Sequence, residues 1–362
     1  ITPPVMGAGA FIMAEVTGIP YGTIALAAVI PCLLFYIACY AHCDLHAVRN
    51  GLRGVPRNEL PALGPLMKQL YLLAPIIVLV TAFVMGYSGF RAAMLGMMAA
   101  VVVSWLDSRF RMGPRAILDS LEMAARDCMQ LVAVCAAAGI IVGIIALTGV
   151  GGRFSSLVLA IAGESQIMAL LFTMIVVTIL GMGMPTTAAY AIAAAVVAPG
   201  LVRMGIEPLV AHMFIFYYAV MSAITPPVAV ASFAAASMAQ ADPWRTSWIA
   251  VKLGLATFIV PFMFFVSPAL LGQGPWPEIA QVFVTASIGV FFLACSTEGW
   301  LNGPMDLGLR AVMFAAAILL IIPEGYTDAA GLALGLAIWG WQRYRHGPSP
   351  GDKIPSPVPD VR

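Results

Sequence analysis

The stretch Ile-Thr-Pro-Pro-Val occurs twice, at 1–5 and again at 224–228, and each copy is followed by a run of small residues. Proline lacks a backbone N–H and clashes with the preceding helical turn, so Pro3 with Pro4, and Pro226 with Pro227, free backbone groups that lipid cannot satisfy. The freed carbonyls, from Ile1 and Ile224 onward, join the hydroxyls of Thr2 and Thr225 as hard oxygen ligands suited to a small cation such as Na+. The half-helix after each break aims its first amides at the same place, where they favour an anionic group. Gly-Met-Gly-Met-Pro-Thr-Thr at 181–187 follows the same logic. Gly181 and Gly183 permit positive φ and close backbone approach, and Pro185 suits the first turn of a helix. Thr186 and Thr187 supply hydroxyls there, and Tyr190, one turn on, could reach the same cavity.

Each of these features has a plainer reading. A single proline in a membrane helix is often only a kink, but two identical Thr-Pro-Pro breaks together with a Gly/Pro/Thr break favour a functional site. His212 and Glu15 are further polar groups in apolar surroundings, His212 reading as a hydrogen-bonding core residue and Glu15 as interfacial. Cys39, His42, Cys43 and His46 have spacings a metal could use. That stretch reads instead as the frayed end of a membrane helix, without a second cluster, so no transition-metal site is expected. The sequence carries no P-loop, HExxH or GxSxG motif, so catalysis has little support, and no cofactor is expected.

The elements that position these groups follow from composition. The chain has 362 residues, is 61% hydrophobic and 10% charged, and has a net charge of +1. Its mean hydropathy is +0.96, which marks an integral membrane protein and argues against nucleic acid as a partner. Apolar stretches of helix-spanning length recur, and alternating strand patterns are absent, so the expected fold is all-α and polytopic. Spans are expected near 20–41, 70–87, 90–106, 128–148, 254–271, 278–296, 308–322 and 328–342. An interfacial amphipathic helix is expected over 115–127, and a disordered tail over 346–362. The basic stretches at 42–68 and 107–127 and the basic C-terminal end are assigned to the cytoplasm. The chain opens inside a motif without an initiator Met, and we expect an upstream part.

Between the basic stretch at 107–127 and the tail the crossings must be even in number, and the ordinary spans supply an odd number. One of the two interrupted segments, 165–203 or 207–240, therefore crosses the membrane and the other is a re-entrant hairpin. The glycines of 181–187 favour 165–203 as the hairpin. The same count makes the two Ile-Thr-Pro-Pro-Val copies face opposite ways, the pattern of an inverted-topology repeat whose broken helices meet near the midplane. The organisation expected is the end of a first repeat at 1–41, a linker at 42–69, a second repeat at 70–272, additional helices at 273–345 and the tail.

"ILGMGMPTTAAYAIAAAVVAPGLV", "AHMFIFYYAVMSAITPPVAVASFAAASMAQADPWRT" and "FIVPFMFFVSPALL" closely resemble the large membrane subunit of TRAP (tripartite ATP-independent periplasmic) transporters, over roughly residues 1–272. Within that family the chain is most similar to permeases that work with TAXI-type binding proteins and carry extra C-terminal helices. The resemblance implies an elevator-type secondary transporter of the bacterial inner membrane. It would be driven by Na+ or H+ and import a small organic anion, usually a carboxylate, delivered by a periplasmic binding protein. A small membrane subunit, fused upstream or separate, is implied as well. It further implies ion sites at Ile1, Thr2, Pro3, Gly181, Gly183, Pro185, Thr186, Thr187, Ile224, Thr225 and Pro226, and a solute site that takes in Pro4, Thr187, Tyr190 and Pro227. A channel, or a secondary transporter without a binding protein, is the alternative; saturable uptake that needs the binding protein separates the two.

Overall fold

The computed structural model describes residues 2–4, 6–52, 54–56, 59–60, 63–107, 109–149, 152–153, 156–157, 160–161, 163, 165–322 and 325–346. Ile1 and the tail beyond His346 lie outside the described residues. The described chain is helical and forms two compact units, one of the chain up to Val29 with Pro56–Ala250, the other of Ile30–Val55 with the chain from Val251. Four helical stretches are long and apolar enough to cross a membrane: Tyr21–Arg49, Thr186–Arg203, Pro243–Val266 and Trp276–Glu298.

In the first unit, α1 (Ala8–Thr17) follows the first break and ends at Gly18, whose φ of 70° lets its N–H cap the Ala14 carbonyl. Pro20 then starts α2 (Tyr21–Ala27), and Phe11 stacks on Tyr21 with ring centroids 4.3 Å apart, fixing the α1–α2 corner. A turn at Ala28 leads into α3 (Val29–Arg49), so one expected span is two consecutive helices. The short α4 (Leu63–Lys68) precedes the hairpin of α5 (Ala74–Val84) and α6 (Gly89–Ser104), which closes over Gly86 at φ 80°.

Two sequence expectations change here. The interfacial helix at 115–127 and the span at 128–148 are one continuous helix, α7 (Pro114–Thr148), because no Gly or Pro interrupts 115–138. Residues 42–49, read as a frayed end, continue α3, and His42 is buried within it.

α8 (Gln166–Gly181), whose N-terminus Ser165 caps at the Met168 amide, and α9 (Thr186–Arg203) lie side by side across the turn at 182–185. α10 (Pro208–Met221) packs on both and is buried along nearly all of its length. α11 (Val230–Ala239) follows the second break. The core of this unit is aromatic and small: Tyr190, Phe214, Phe216, Tyr217 and Tyr218 fill the space that the alanines of α9 leave.

α12 (Pro243–Leu253) leads into the second unit, which contains α3, α13 (Leu255–Val266), α14 (Trp276–Glu298), α15 (Leu307–Ile321) and α16 (Gly325–His346). The last three pack closely because small residues line their contacts. A Cβ on Gly289 would meet the Ala317 carbonyl at 3.2 Å, and one on Gly331 the Ala316 carbonyl at 2.9 Å.

Candidate functional site: paired backbone breaks beside a glycine hairpin

The hairpin tip and the second break lie against each other within the first unit. Gly181 is buried in contact with Ser222; a Cβ there would lie 2.8 Å from Ser222 Cβ and closer still to its hydroxyl. Gly183, at φ 75°, faces Val228, which its Cβ would approach to 3.3 Å. Only glycine permits both the approach and the left-handed turn. The break itself folds so that the Ala231 amide reaches across it to the Ala223 carbonyl at 3.0 Å.

Thr225 Oγ1 donates to the Met221 carbonyl at 2.7 Å. Its proton is thereby directed back along α10, which leaves the oxygen lone pairs free to face a cation. Ile224, Thr225 and Pro226 are half-buried, and Pro227 and Val228 are exposed. Ser232, in the first turn of α11, is 4% exposed and its hydroxyl has no hydrogen-bond partner among the described residues, so it is a further oxygen of the kind an ion can satisfy.

Pro185 is the exposed N-cap of α9 and Thr186 its half-buried first residue. Thr187 is buried and, among the described residues, is the one hydroxyl on a cavity of about 400 Å³ between α1, α7 and α9, otherwise lined by Ile12, Val16, Val142 and small residues. None of the helices that follow a break, α1, α9 and α11, receives a side-chain cap or carries an acid in its first turn. The amide ends of α1 and α9 are thus open to an anionic ligand, whereas the first two amides of α11, Val230 and Ala231, are taken by the Val228 and Ala223 carbonyls.

The first break joins this arrangement through α1. Gly9, in the first turn of α1, packs on Phe216 and Tyr190, its Cβ position lying 2.9 Å from Phe216 Cε2 and 3.8 Å from Tyr190 Cδ1. Thr2 is exposed, while Pro3 and Pro4 are half-buried and face an apolar hollow lined by α2 and α5; the Pro4 carbonyl accepts the Tyr21 hydroxyl. Both Pro-Pro peptides, Pro3–Pro4 and Pro226–Pro227, are cis.

Tyr190 is 0% exposed, and its hydroxyl lies 2.8 Å from His212 Nδ1. His212 takes the hydrogen-bonding role expected of it. Glu15 is exposed on a broad hollow shared with Tyr21, Thr23 and Ser88. His42 is committed to the Ala38 carbonyl and to Thr297 Oγ1, at 2.9 and 2.7 Å. Ser222 and Gly9 were not singled out in the sequence; the signals were a hydroxyl three residues before Thr225 and a glycine within a small-residue run.

A helical membrane chain with proline-broken helices, one of its breaks packed against a glycine hairpin, has the architecture of a polytopic membrane transporter. The family model described as "Tripartite ATP-independent periplasmic transporter, DctM component" matches residues 1–279, and the chain belongs to that family, the large membrane component of TRAP transporters. Comparison with curated proteins and with solved structures gave no match. Membership makes the chain a transporter component of the inner membrane, one that works with a solute-binding protein and a small membrane subunit.

Proposed function

We propose that the chain imports a small organic anion, a carboxylate, using an ion gradient, with solute handed over by a periplasmic binding protein of the TAXI type. Sodium is the coupling ion of this reading. It binds where the Gly181–Thr187 tip meets the Ile224–Pro227 break, held by backbone carbonyls and by the hydroxyls of Thr186, Thr187 and Thr225. The observation that carries the reading is the contact of Gly181 and Gly183 with Ser222 and Val228, beside a Thr225 hydroxyl whose proton is already directed to Met221. Thr2 and Pro3, with the Ile1 carbonyl, form the corresponding half-site of the first repeat. The solute carboxylate lies at the uncapped amide ends of α1 and α9, near Pro4 and Thr187, with Pro227 beside it.

In this reading 165–203 is a re-entrant hairpin that moves with its unit in an elevator-type cycle, and 1–41 and 70–272 belong to inverted repeats. The C-terminal end is cytoplasmic, which is supported by charge placement in the second unit. Among its described residues Arg49, Lys252 and Arg310 are tied to segment 296–303, Arg343 adjoins Gln342, which is bonded to that segment, and Arg345 lies in the same last turn, while Glu278 and Asp328 begin their helices at the other end.

The test is uptake by the complete transporter in proteoliposomes, with its binding protein and candidate dicarboxylates, under an imposed Na+ gradient and then a proton gradient. Uptake that needs both the binding protein and Na+ supports the proposal. Uptake driven by protons alone rejects the sodium site and turns attention to Glu15 and His212; uptake without the binding protein rejects the delivery step.

A further inference from the structure

The last two turns of α16 carry two arginines and two tryptophans that the transport reading does not use. Arg343 stacks over the Trp339 ring and Arg345 over the Trp341 ring, each with the guanidinium carbon 5.1 Å from the ring centroid. Neither arginine has an ion pair among the described residues.

The orientation of this helix end is fixed from inside. Gln342 is 0% exposed and its amide holds the loop after α14, accepting from the Asn302 amide at 3.1 Å. With Gln342 pointing inward, a rotation of about 100° per residue puts Trp339 and Arg343 on one flank and Trp341 and Arg345 on the other, with Tyr344 outermost. The exposures agree: 40% for Trp339, 44% for Trp341 and 92% for Tyr344. The helix therefore ends in two flat cationic pairs flanking an outward tyrosine.

The depth of this end in a membrane follows from helix length. Tyr326 and Trp341, 73% and 44% exposed, bracket residues 327–340, about 21 Å of helix at 1.5 Å per residue. A hydrocarbon core is about 30 Å thick. So short an apolar segment draws headgroups inward to the tryptophans, and the arginines, snorkelling past them, meet lipid phosphates. The neighbouring charges leave the pair uncompensated. Glu298 is held by Lys252 at 2.6 Å, and Asp306 caps the Leu309 amide at 2.9 Å.

We propose that Arg343 and Arg345, stacked on Trp339 and Trp341, form a binding site for the phosphate groups of anionic phospholipids at the C-terminal end of α16. A ring face attracts each guanidinium without accepting its N–H groups in full, which leaves them for a phosphate contact. The site stands independently of which ion or solute is transported.

Native mass spectrometry of the complete transporter, titrated with phosphatidylglycerol and with phosphatidylcholine, tests this. The wild type should retain phosphatidylglycerol in preference by on the order of tenfold, and R343Q/R345Q should reduce the preference to about threefold or less. Measured without any variant, the preference of the wild type in vesicles of the two lipids should shrink as salt rises from about 0.05 to about 0.5 M. Equal retention of both lipids by the wild type, a salt-insensitive preference, or a preference that survives R343Q/R345Q would overturn the proposal. Displacement of phosphatidylglycerol by millimolar inorganic phosphate would also overturn it, assigning the site to a soluble anion.

Discussion

Tyr190 Oη and His212 Nδ1 lie 2.8 Å apart in the core of the first unit, joining α9 to α10 one turn beyond the hairpin tip. Both side chains are buried, so the bond cannot be replaced by bulk water. Y190F should destabilise the protein by about 1–3 kcal/mol, because the imidazole nitrogen loses its partner in a dry site. Thermal unfolding in detergent measures this. An unchanged midpoint would show that the pair contributes nothing to holding the hairpin.

Gly9 sits where α1 crosses α10. G9A puts a methyl group 2.9 Å from Phe216 Cε2, and overpacking of this kind costs about 1–3 kcal/mol. Combining G9A with F216L should return most of the lost stability, since the leucine has no ring edge at that point.

The contact of Gly181 with Ser222 predicts a compensating pair. G181A should abolish or strongly slow uptake, as its methyl group cannot coexist with the Ser222 side chain. G181A/S222G should recover a substantial part of the rate. A double variant as inactive as G181A would mean that the hairpin tip needs the flexibility of Gly181 and not only the space.

For Thr225, the isosteric T225V removes the hydroxyl and keeps the shape. If that oxygen binds sodium, the Na+ concentration for half-maximal uptake should rise on the order of tenfold, corresponding to a loss of about 1.4 kcal/mol, with a smaller change in maximal rate. T225S should restore the wild-type value. The same assay on S232A reads whether the unpartnered Ser232 hydroxyl belongs to the set.

Glu298 ends α14 with its side chain 4% exposed and anchors the second unit, meeting Lys252 Nζ at 2.6 Å and His46 at 3.5 Å, while its carbonyl accepts from Arg49 at 2.6 Å. E298Q should cost about 2–4 kcal/mol, since Lys252 would lose its counter-charge beside a buried group. K252M should cost less, because the Lys252 side chain is 37% exposed and part of its hydration survives. In a double-mutant cycle K252M/E298Q should lose less than the sum of the single changes.

Much of this molecule was legible before any coordinates. The apolar length of the segments, the two Ile-Thr-Pro-Pro-Val copies and the glycines at 181 and 183 identified a helical membrane protein with interrupted helices, because helix formation, proline breaks and glycine turns are local properties. The continuity of α7 was misread because a change from polar to apolar face looks like a boundary, although nothing in the backbone breaks there. His42 was misread as well. A histidine in the polar last turns of a helix looks frayed until Thr297, far along the chain, is found beside it.

By itself the sequence determined which segments are helices, where they break, and which oxygen-bearing residues stand at the breaks, since each follows from neighbours within a few residues. Only the tertiary structure decided which breaks meet. That Gly181 rests on Ser222, that Tyr190 meets His212, and that Glu298 gathers charges from α3 and α12 are contacts between residues 22 to 252 positions apart in the chain. Such contacts arise from packing complementarity among helices whose apolar faces read alike in the sequence.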